Sequence, residues 1–194
     1  MLPVSRPRVA ATILAVLLLP AQAAAERFEI DAAHSHVQFS VDRFGFNAII
    51  GEFRDIHGAI LLADDVLEGS SVHASVATAS LASGNAERDD ILKGEYWLAV
   101  ERHPRIEFRS TRVERDGDRG VTIAGDLTFL GVTRPLVFEA RLNRRGIDPS
   151  VQREAAGFTA IALLKRSEFG LVTGGSLIGD EVSIRIELIA HRSD

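Results

Sequence analysis

The 194-residue sequence contains no cysteine, and its single methionine is residue 1. Without cysteine the chain has no disulfide, no thiolate metal site and no cysteine nucleophile, so its stability has to come from a packed core. Basic residues are in deficit as well, since the formal net charge is −5. Such a chain lacks the basic stripe that binds nucleic acid and the polybasic patch that docks on anionic lipid. We therefore predict no nucleic acid partner.

Long apolar runs are also absent, because no segment approaches the roughly 18 residues of a transmembrane helix. The longest apolar run lies at residues 9–19, directly after Arg6 and Arg8, and Ala21-Gln22-Ala23 fits a small-x-small cleavage site. We predict that residues 1–25 are a signal peptide and that residues 26–194 form one periplasmic domain without a transmembrane segment. That domain has 20 basic and 27 acidic residues, a formal charge of −7.

Apolar and polar residues alternate with period two along most of the remaining chain, which predicts β-strands. The clearest runs are residues 36–42, 105–109, 121–129, 135–142 and 182–188, with weaker ones at 56–62, 71–80 and 157–164. Short strands separated by turn signals such as Asp116-Gly117 are typical of a sandwich or a barrel. We predict one all-β domain of eight or nine strands, with a loop at residues 144–150.

Residues 85–98 break the alternation. Asn85 can cap a helix, acidic residues follow in the first turn, and Lys93-Gly94 suits its end. We predict one or two helical turns there, at one end of a barrel. Residues 155–164 are apolar in both phases, which needs an apolar lumen on one side and a covering element or a dimer contact on the other. Eight-stranded barrels can enclose one small ligand.

The triplet His34-Ser35-His36 is the strongest candidate for chemistry. On a strand the two imidazoles would point to the same side and offer two metal nitrogens, while Ser35 would point away from both. Zinc would need further His or carboxylate ligands, and the other histidines form no second close pair. A metal-dependent or hydrolytic enzyme using His34 and His36 stays open beside a structural role at a strand start; we predict no catalytic residue and no metal.

Several motifs together resemble the YceI-like family of exported lipid-binding proteins. They are IDAAHSHVQF at 30–39, GEF at 51–53, RD at 88–89, PRIEFRS at 104–110, GDLTFLGVTRP at 125–135 and RSEFG at 166–170. The resemblance implies an all-β fold, an extended eight-stranded antiparallel lipocalin-like β-barrel with one short helical segment near one end. Three positions depart from the family pattern: Ile91 stands where the family often has His, and Tyr96-Trp97 stand where it often has Phe-Phe.

The resemblance also implies a ligand and no catalysis. The ligand would be a long-chain lipid, either a polyisoprenoid (a prenyl quinone or prenyl phosphate) or a fatty-acid-like amphiphile, held for transport or storage without another cofactor. A ligand-free homodimer with a self-filled lumen is the remaining alternative. Arg88, Arg134 and Arg166 are candidates for a phosphate head group. The residues predicted to line the lumen are Phe39, Val41, Phe53, Phe108, Leu127, Phe129, Phe138, Ile161 and Ile184, with Trp97 near the mouth.

Overall fold

The structure, a computed structural model, describes residues 25–63, 67–117 and 120–193. The predicted signal peptide lies outside the described residues, apart from its last residue. The described strands are β1 (Glu26–Ile30), β2 (His36–Arg43), β3 (Asn47–Phe53), β4 (Ile56–Leu62), β5 (Ser71–Ala77), β6 (Leu81–Ala82), β7 (Arg105–Asp116), β8 (Gly120–Phe129), β9 (Val132–Asp148), β10 (Arg153–Lys165) and β11 (Ile178–Arg192). One α-helix, α1 (Ala86–Lys93), lies between β6 and β7 in this part of the chain.

The strands form a closed antiparallel barrel of eight. In order around the ring they are β1, β4, β5, β7, β8, β9, β10 and β11, and the ring closes because β1 pairs with both β4 and β11. Phe28 in the middle of β1 pairs with Ile60 on one side and Arg192 on the other. The predicted eight-stranded barrel with a short helix is confirmed. No helix among the described residues is long and apolar enough to cross a membrane.

Three of the eight strands are interrupted. A 3₁₀ turn at Ala32–His34 separates β1 from its continuation β2. The pair Arg54-Asp55 separates β3 from β4, and a 3₁₀ turn at Thr78–Ser80 separates β5 from its continuation β6. β2 then pairs with β11 and β3, and β3 pairs with β6. Among the described strands β6 has no partner on its other side, so β6 and β7 are separated by a seam at this end of the barrel.

The helix and the segment that follows it fill this seam. The side chain of Asn85 accepts a hydrogen bond of 2.9 Å from the backbone N–H of Arg88, and Gly94 follows the last helical residue, as predicted. Leu92 and Leu98 face the barrel interior together with residues of β6 and β7. The hydroxyl of Thr78, before β6, donates to the His103 carbonyl at 2.6 Å and fastens the segment to the barrel.

The opposite end of the barrel is closed by packing and by ion pairs. Phe28 is fully buried in a cluster with Ile60, Leu62, Ala156 and Ala190. Burying a side chain of that size contributes about 1.5–3 kcal/mol. Around this cluster two carboxylates and two guanidinium groups form a four-membered network, in which each acid contacts both bases. Its members are Glu26, Glu154, Arg145 and Arg192.

The predicted loop at residues 144–150 is wrong, because β9 continues to Asp148 and Gly146 pairs with Ala155. Glycine and arginine look like loop composition, but here Arg145 forms ion pairs with Glu26 and Glu154 at the closed end. The turn starts at Asp148, whose carboxylate accepts from the side chain and the backbone N–H of Ser150. Those bonds, and the His191 imidazole 2.9 Å away, hold the pKa of Asp148 far below its usual range.

Candidate ligand-binding site

The barrel encloses two adjacent apolar cavities. The outer one has a volume of about 180 Å³ and lies towards the end that carries α1; the inner one has about 110 Å³ and ends against the Phe28 cluster. Four residues line both cavities: Ile56, Ala74, Phe138 and Ile186. The two cavities therefore lie end to end along the barrel interior, which we call the lumen, and these four side chains lie where the cavities meet.

The lining of the outer cavity follows from the alternation of inward and outward side chains along paired strands. On β2 and β11 the inward positions lie opposite one another: Val41 pairs with Val182, and Phe39 pairs with Ile184. All four line the outer cavity. Since successive side chains of a strand point to opposite faces, a single residue known to face inward determines which other residues of that strand face the lumen.

Two glycines make space for aromatic rings in the lumen. A Cβ at Gly51 would lie 2.4 Å from Cζ of Phe39, and a Cβ at Gly125 would lie 2.5 Å from Cζ of Phe108. Each ring therefore lies across the backbone of the neighbouring strand instead of filling the cavity. Phe108 also contacts Phe138 edge-to-face, with ring centroids 5.0 Å apart. This packing leaves the lumen hollow although its wall is rich in phenylalanine.

Nine of the ten residues predicted for the lumen line the outer cavity, Trp97 among them. The exception is Ile161, which points away from the lumen and is 45% exposed. On β10 the inward residues are those of the other phase, such as Ala160 and Leu164. The prediction failed there because β10 is apolar in both phases, so alternation gave no basis for choosing one.

The inner cavity was missed by the sequence interpretation. Its lining comes from the far halves of β4, β5, β7, β8, β9, β10 and β11. The residues that line it alone include Ile60, Val72, Val113, Val121, Ile123, Ala140, Phe158 and Leu188. Val121 and Ile123 carry the same alternation as Leu127 and Phe129, so continuing the phase along β8 would have found them.

The mouth of the outer cavity is built by three connections. They are the β2–β3 turn, residues 94–104 after α1, and residues 166–177 between β10 and β11. The backbone N–H of Phe44 in the first donates to the Leu177 carbonyl in the third at 2.8 Å. The hydroxyl of Thr173 in the third donates to the Tyr96 carbonyl in the second. Trp97 lies beside this contact and lines the cavity.

Arg166 holds the third connection in shape. Its side chain lines the outer cavity and the residue is only 4% exposed. Its five N–H groups donate at 2.7–3.1 Å to the backbone carbonyls of Leu171, Thr173, Gly175, Ile178 and Gly179. Arginine has five N–H donors, so no donor is left for a ligand.

The other two arginines proposed for a head group also have structural bonds. Arg88 donates from Nε to the hydroxyl of Ser83 at 2.7 Å and from Nη2 to its carbonyl at 2.6 Å, which joins α1 to the end of β6. Arg134 donates from Nε to the carbonyl of Glu168 at 3.4 Å. Neither residue lines the outer or the inner cavity.

The triplet at residues 34–36 marks a break between strands. His34 ends a 3₁₀ turn instead of lying on the strand, so alternation does not align it with His36. The Asp31 carboxylate lies 2.8 Å from Nδ1 of His34 and raises the pKa of that imidazole. Ser35 is buried, donates to the carbonyl of Ile189 at 3.3 Å and accepts from its N–H at 3.1 Å.

Ser35 thereby supplies hydrogen bonds where β11 changes partner, between Glu187, which pairs with β2, and Ala190, which pairs with β1. Among the described residues no three His, Asp or Glu side chains are arranged to hold a metal ion. In this structure the triplet joins two strands.

Comparison with known proteins identifies the chain's relatives. The model of the YceI-like domain matches residues 28–190. A UPF0312 protein of Pseudomonas putida is 36% identical over 170 residues, covering 86% of this chain and 88% of the relative. A UPF0312 protein of Serratia proteamaculans is 31% identical over 181 residues, covering 92% and 93% of the two chains.

Solved structures share the fold. BcnA of Burkholderia cenocepacia superposes with a TM-score of 0.74 at 22% identity, covering 83% of this chain and 99% of that one. A polyisoprenoid binding domain from Saccharophagus degradans, implicated in plant cell wall breakdown, gives a TM-score of 0.61 at 14% identity, covering 86% and 98%. At these identities the superpositions establish the barrel architecture alone.

Proposed function

The chain belongs to the YceI-like domain family, and from this premise we propose that it is an exported, non-catalytic carrier or reservoir for a polyisoprenoid or a similar long-chain amphiphile. The observation that carries the proposal is the elongated apolar lumen, closed at the Phe28 end and opening between the three mouth connections. One structural relative is described as a polyisoprenoid binding domain, which agrees with this ligand class.

The energetics favour a chain-like ligand. Each buried CH₂ group contributes roughly 0.8 kcal/mol, so ten buried carbons offer about 8 kcal/mol before the costs of association. Those costs remove several kcal/mol, and a ligand confined to the outer cavity would therefore bind weakly. A tail that passes Phe138 and reaches the inner cavity would bury more carbons and bind more firmly.

The polar groups near the mouth favour an uncharged head group. Arg166 is the one cation among the described residues that line either cavity, and all of its N–H groups are engaged by carbonyls. Glu107, the acidic residue at the edge of the outer cavity, is exposed and lies between the inward-facing Ile106 and Phe108 of β7, so its carboxylate is on the outer face of the barrel. A prenyl quinone needs no cationic partner, whereas a prenyl phosphate would need one. We therefore place prenyl quinones ahead of prenyl phosphates.

The test is organic extraction of the protein, purified from the periplasm without detergent, followed by mass spectrometry of the extract. A stoichiometric prenyl lipid supports the proposal and identifies the ligand. A clean extract, combined with no quenching of Trp97 fluorescence when prenyl quinone is added, overturns it. Trp97 suits this titration because it is the single tryptophan and lines the outer cavity.

A matched pair of variants ties the ligand to the lumen. Ala74→Phe adds a ring where the two cavities meet, whereas His73→Phe adds the same ring at the neighbouring, exposed position of β5. We expect the first variant to lose extractable lipid and the second to retain it. Equal lipid content in both folded variants would mean that the lipid lies outside the lumen.

The predicted homodimer stays a prediction. Its candidate contact is the outward face of β10, where Ile161 and Leu163 are 45% and 63% exposed. Sedimentation velocity of the native chain and of Leu163→Asp measures whether this face pairs two copies. If both the native chain and Leu163→Asp sediment as monomers, the homodimer prediction is wrong.

A further inference from the structure

The mouth of the lumen carries exposed apolar side chains on all three of its connections. We define the apolar rim as Phe44 and Phe46 of the β2–β3 turn, Tyr96 after α1, and Val172 and Leu177 of the β10–β11 connection. Their exposed fractions are 43%, 87%, 80%, 66% and 60%. Single exposed apolar residues are ordinary on protein surfaces, but a contiguous set around an opening marks an interaction site.

The rim is continuous with the lumen. Tyr96 precedes Trp97, Val172 follows Leu171, and Leu177 precedes Ile178; each of these neighbours lines the outer cavity. Hydrogen bonds also join the rim segments to one another, from the Phe44 N–H to the Leu177 carbonyl and from the Thr173 hydroxyl to the Tyr96 carbonyl. Exposed apolar side chains of the rim therefore directly adjoin residues of the cavity wall in two of the three mouth connections.

The backbone of the β2–β3 turn is strained at an aromatic residue. Phe44 has φ of +59° and Gly45 has φ of +70°. Tight hairpin turns of this kind favour Asn or Asp followed by Gly, because a bulky residue in the left-handed region is an outlier. The turn is therefore locally strained at Phe44, and it places Phe44 and Phe46 on either side of its tip.

The charges around the rim suit an uncharged or zwitterionic surface. The carboxylate of Asp42 accepts from the Gly45 N–H at 2.9 Å, and Glu95 pairs with Arg102 at 3.4 Å, so both acids are engaged within the mouth. The guanidinium of Arg43 lies 4.2 Å from the centroid of the Phe44 ring. An exposed arginine beside apolar and aromatic side chains is a common arrangement at the membrane–water interface.

We propose that the apolar rim docks the mouth of the barrel on the surface of a phospholipid bilayer, with the tips of Phe44, Phe46 and Tyr96 among the lipid head groups. In that position the lumen faces the acyl region, and an apolar ligand passes between membrane and barrel without crossing water. Docking goes beyond ligand binding, although its use in transfer rests on the proposed function. The attraction is hydrophobic because the chain is net acidic.

The test is co-flotation of the purified protein with ligand-free vesicles of phosphatidylcholine, repeated with added phosphatidylglycerol and at high salt. We expect binding to all of them with little dependence on salt. Phe46→Ser should weaken binding by about tenfold, the loss expected when one phenyl ring no longer leaves water. Leu177→Ser, in a different connection, should weaken it in the same direction.

Val151→Ser is the matched control. Val151 is 49% exposed, but it lies in the β9–β10 turn at the closed end of the barrel. Bound vesicles with brominated acyl chains should quench Trp97 in the control and in the native chain alike. Far-UV circular dichroism checks that each variant is folded, which we expect because the substituted side chains are exposed.

Three outcomes would overturn the docking proposal: no flotation of the native chain, equal losses in Phe46→Ser and Val151→Ser, or a dimer that Phe46→Ser dissociates while vesicles bind neither form. Because the vesicles contain no ligand, docking is measured independently of the extraction experiment. A clean lipid extract and no quenching of Trp97 by prenyl quinone, with intact flotation, would refute the carrier function alone. A lipid-loaded protein that does not bind vesicles would refute docking alone.

Discussion

Replacing Arg166 should loosen the mouth and destabilise the domain. In Arg166→Met, five backbone carbonyls lose their donors. Hydrogen bonds to a charged group contribute about 1.5–3 kcal/mol each, so the upper limit is roughly 7–15 kcal/mol. The actual loss is smaller, because residues 171–178 include exposed positions where water replaces the guanidinium, and because a buried charge no longer has to be desolvated. We expect the free energy of unfolding to fall by about 3–5 kcal/mol.

Urea denaturation of the native chain, Arg166→Met and Arg134→Met measures this loss. Arg134 lies at the same end of the barrel but makes a single bond of 3.4 Å to a backbone carbonyl, so its replacement should cost less than about 0.5 kcal/mol. Hydrogen exchange should show faster exchange in residues 171–178 of Arg166→Met while the central strands stay protected. Equal stability of the two variants, with unchanged exchange in this segment, would refute the reasoning.

Three further results are expected. Ser35→Ala should lower the free energy of unfolding by about 1–3 kcal/mol in urea titrations, because the N–H of Ile189 loses the acceptor that the buried Ser35 hydroxyl provides. Gly51→Ala should cost about 1–3 kcal/mol and reduce extractable lipid, because the new Cβ would push the Phe39 ring into the lumen. Stability should also fall with acid: the pKa of Asp148 is lower in the folded chain than the unfolded value of about 3.9, so its contribution is complete above that pH and is lost below it. Urea midpoints at neutral and at acid pH should therefore differ less for Asp148→Asn than for the native chain.

Much of the fold could be predicted because its main signal is local. Alternation depends only on neighbouring residues, and on β2, β8 and β11 one face is clearly apolar. The residues Phe39, Leu127 and Ile184 therefore took their correct phase. The helix was found for the same kind of reason, since Asn85 and Gly94 act within one turn of its ends.

What could not be predicted depends on partners distant in sequence. Ile161 was placed inside because its strand offers apolar residues in both phases. At the far end of β9, Arg145 pairs with Glu26, 119 positions away. Ser35 pairs with Ile189, 154 positions away. The hydrogen bonds from Arg166 to backbone carbonyls depend on the conformation of the β10–β11 connection, which no short sequence motif specifies.

The pairing of β11 with both β1 and β2 has a consequence for how the barrel assembles. Phe28 pairs with Arg192 and Val37 with Ile186, so the two ends of the domain must meet before the ring can close. Contacts of such sequence separation make folding slow, roughly milliseconds to seconds, because the chain loses loop entropy before it gains them. The lumen does not exist until the 15 residues of β11 are in place. A lipid can therefore not guide the early steps of folding; it acts only on the finished barrel, and its kinetic effect is to slow unfolding.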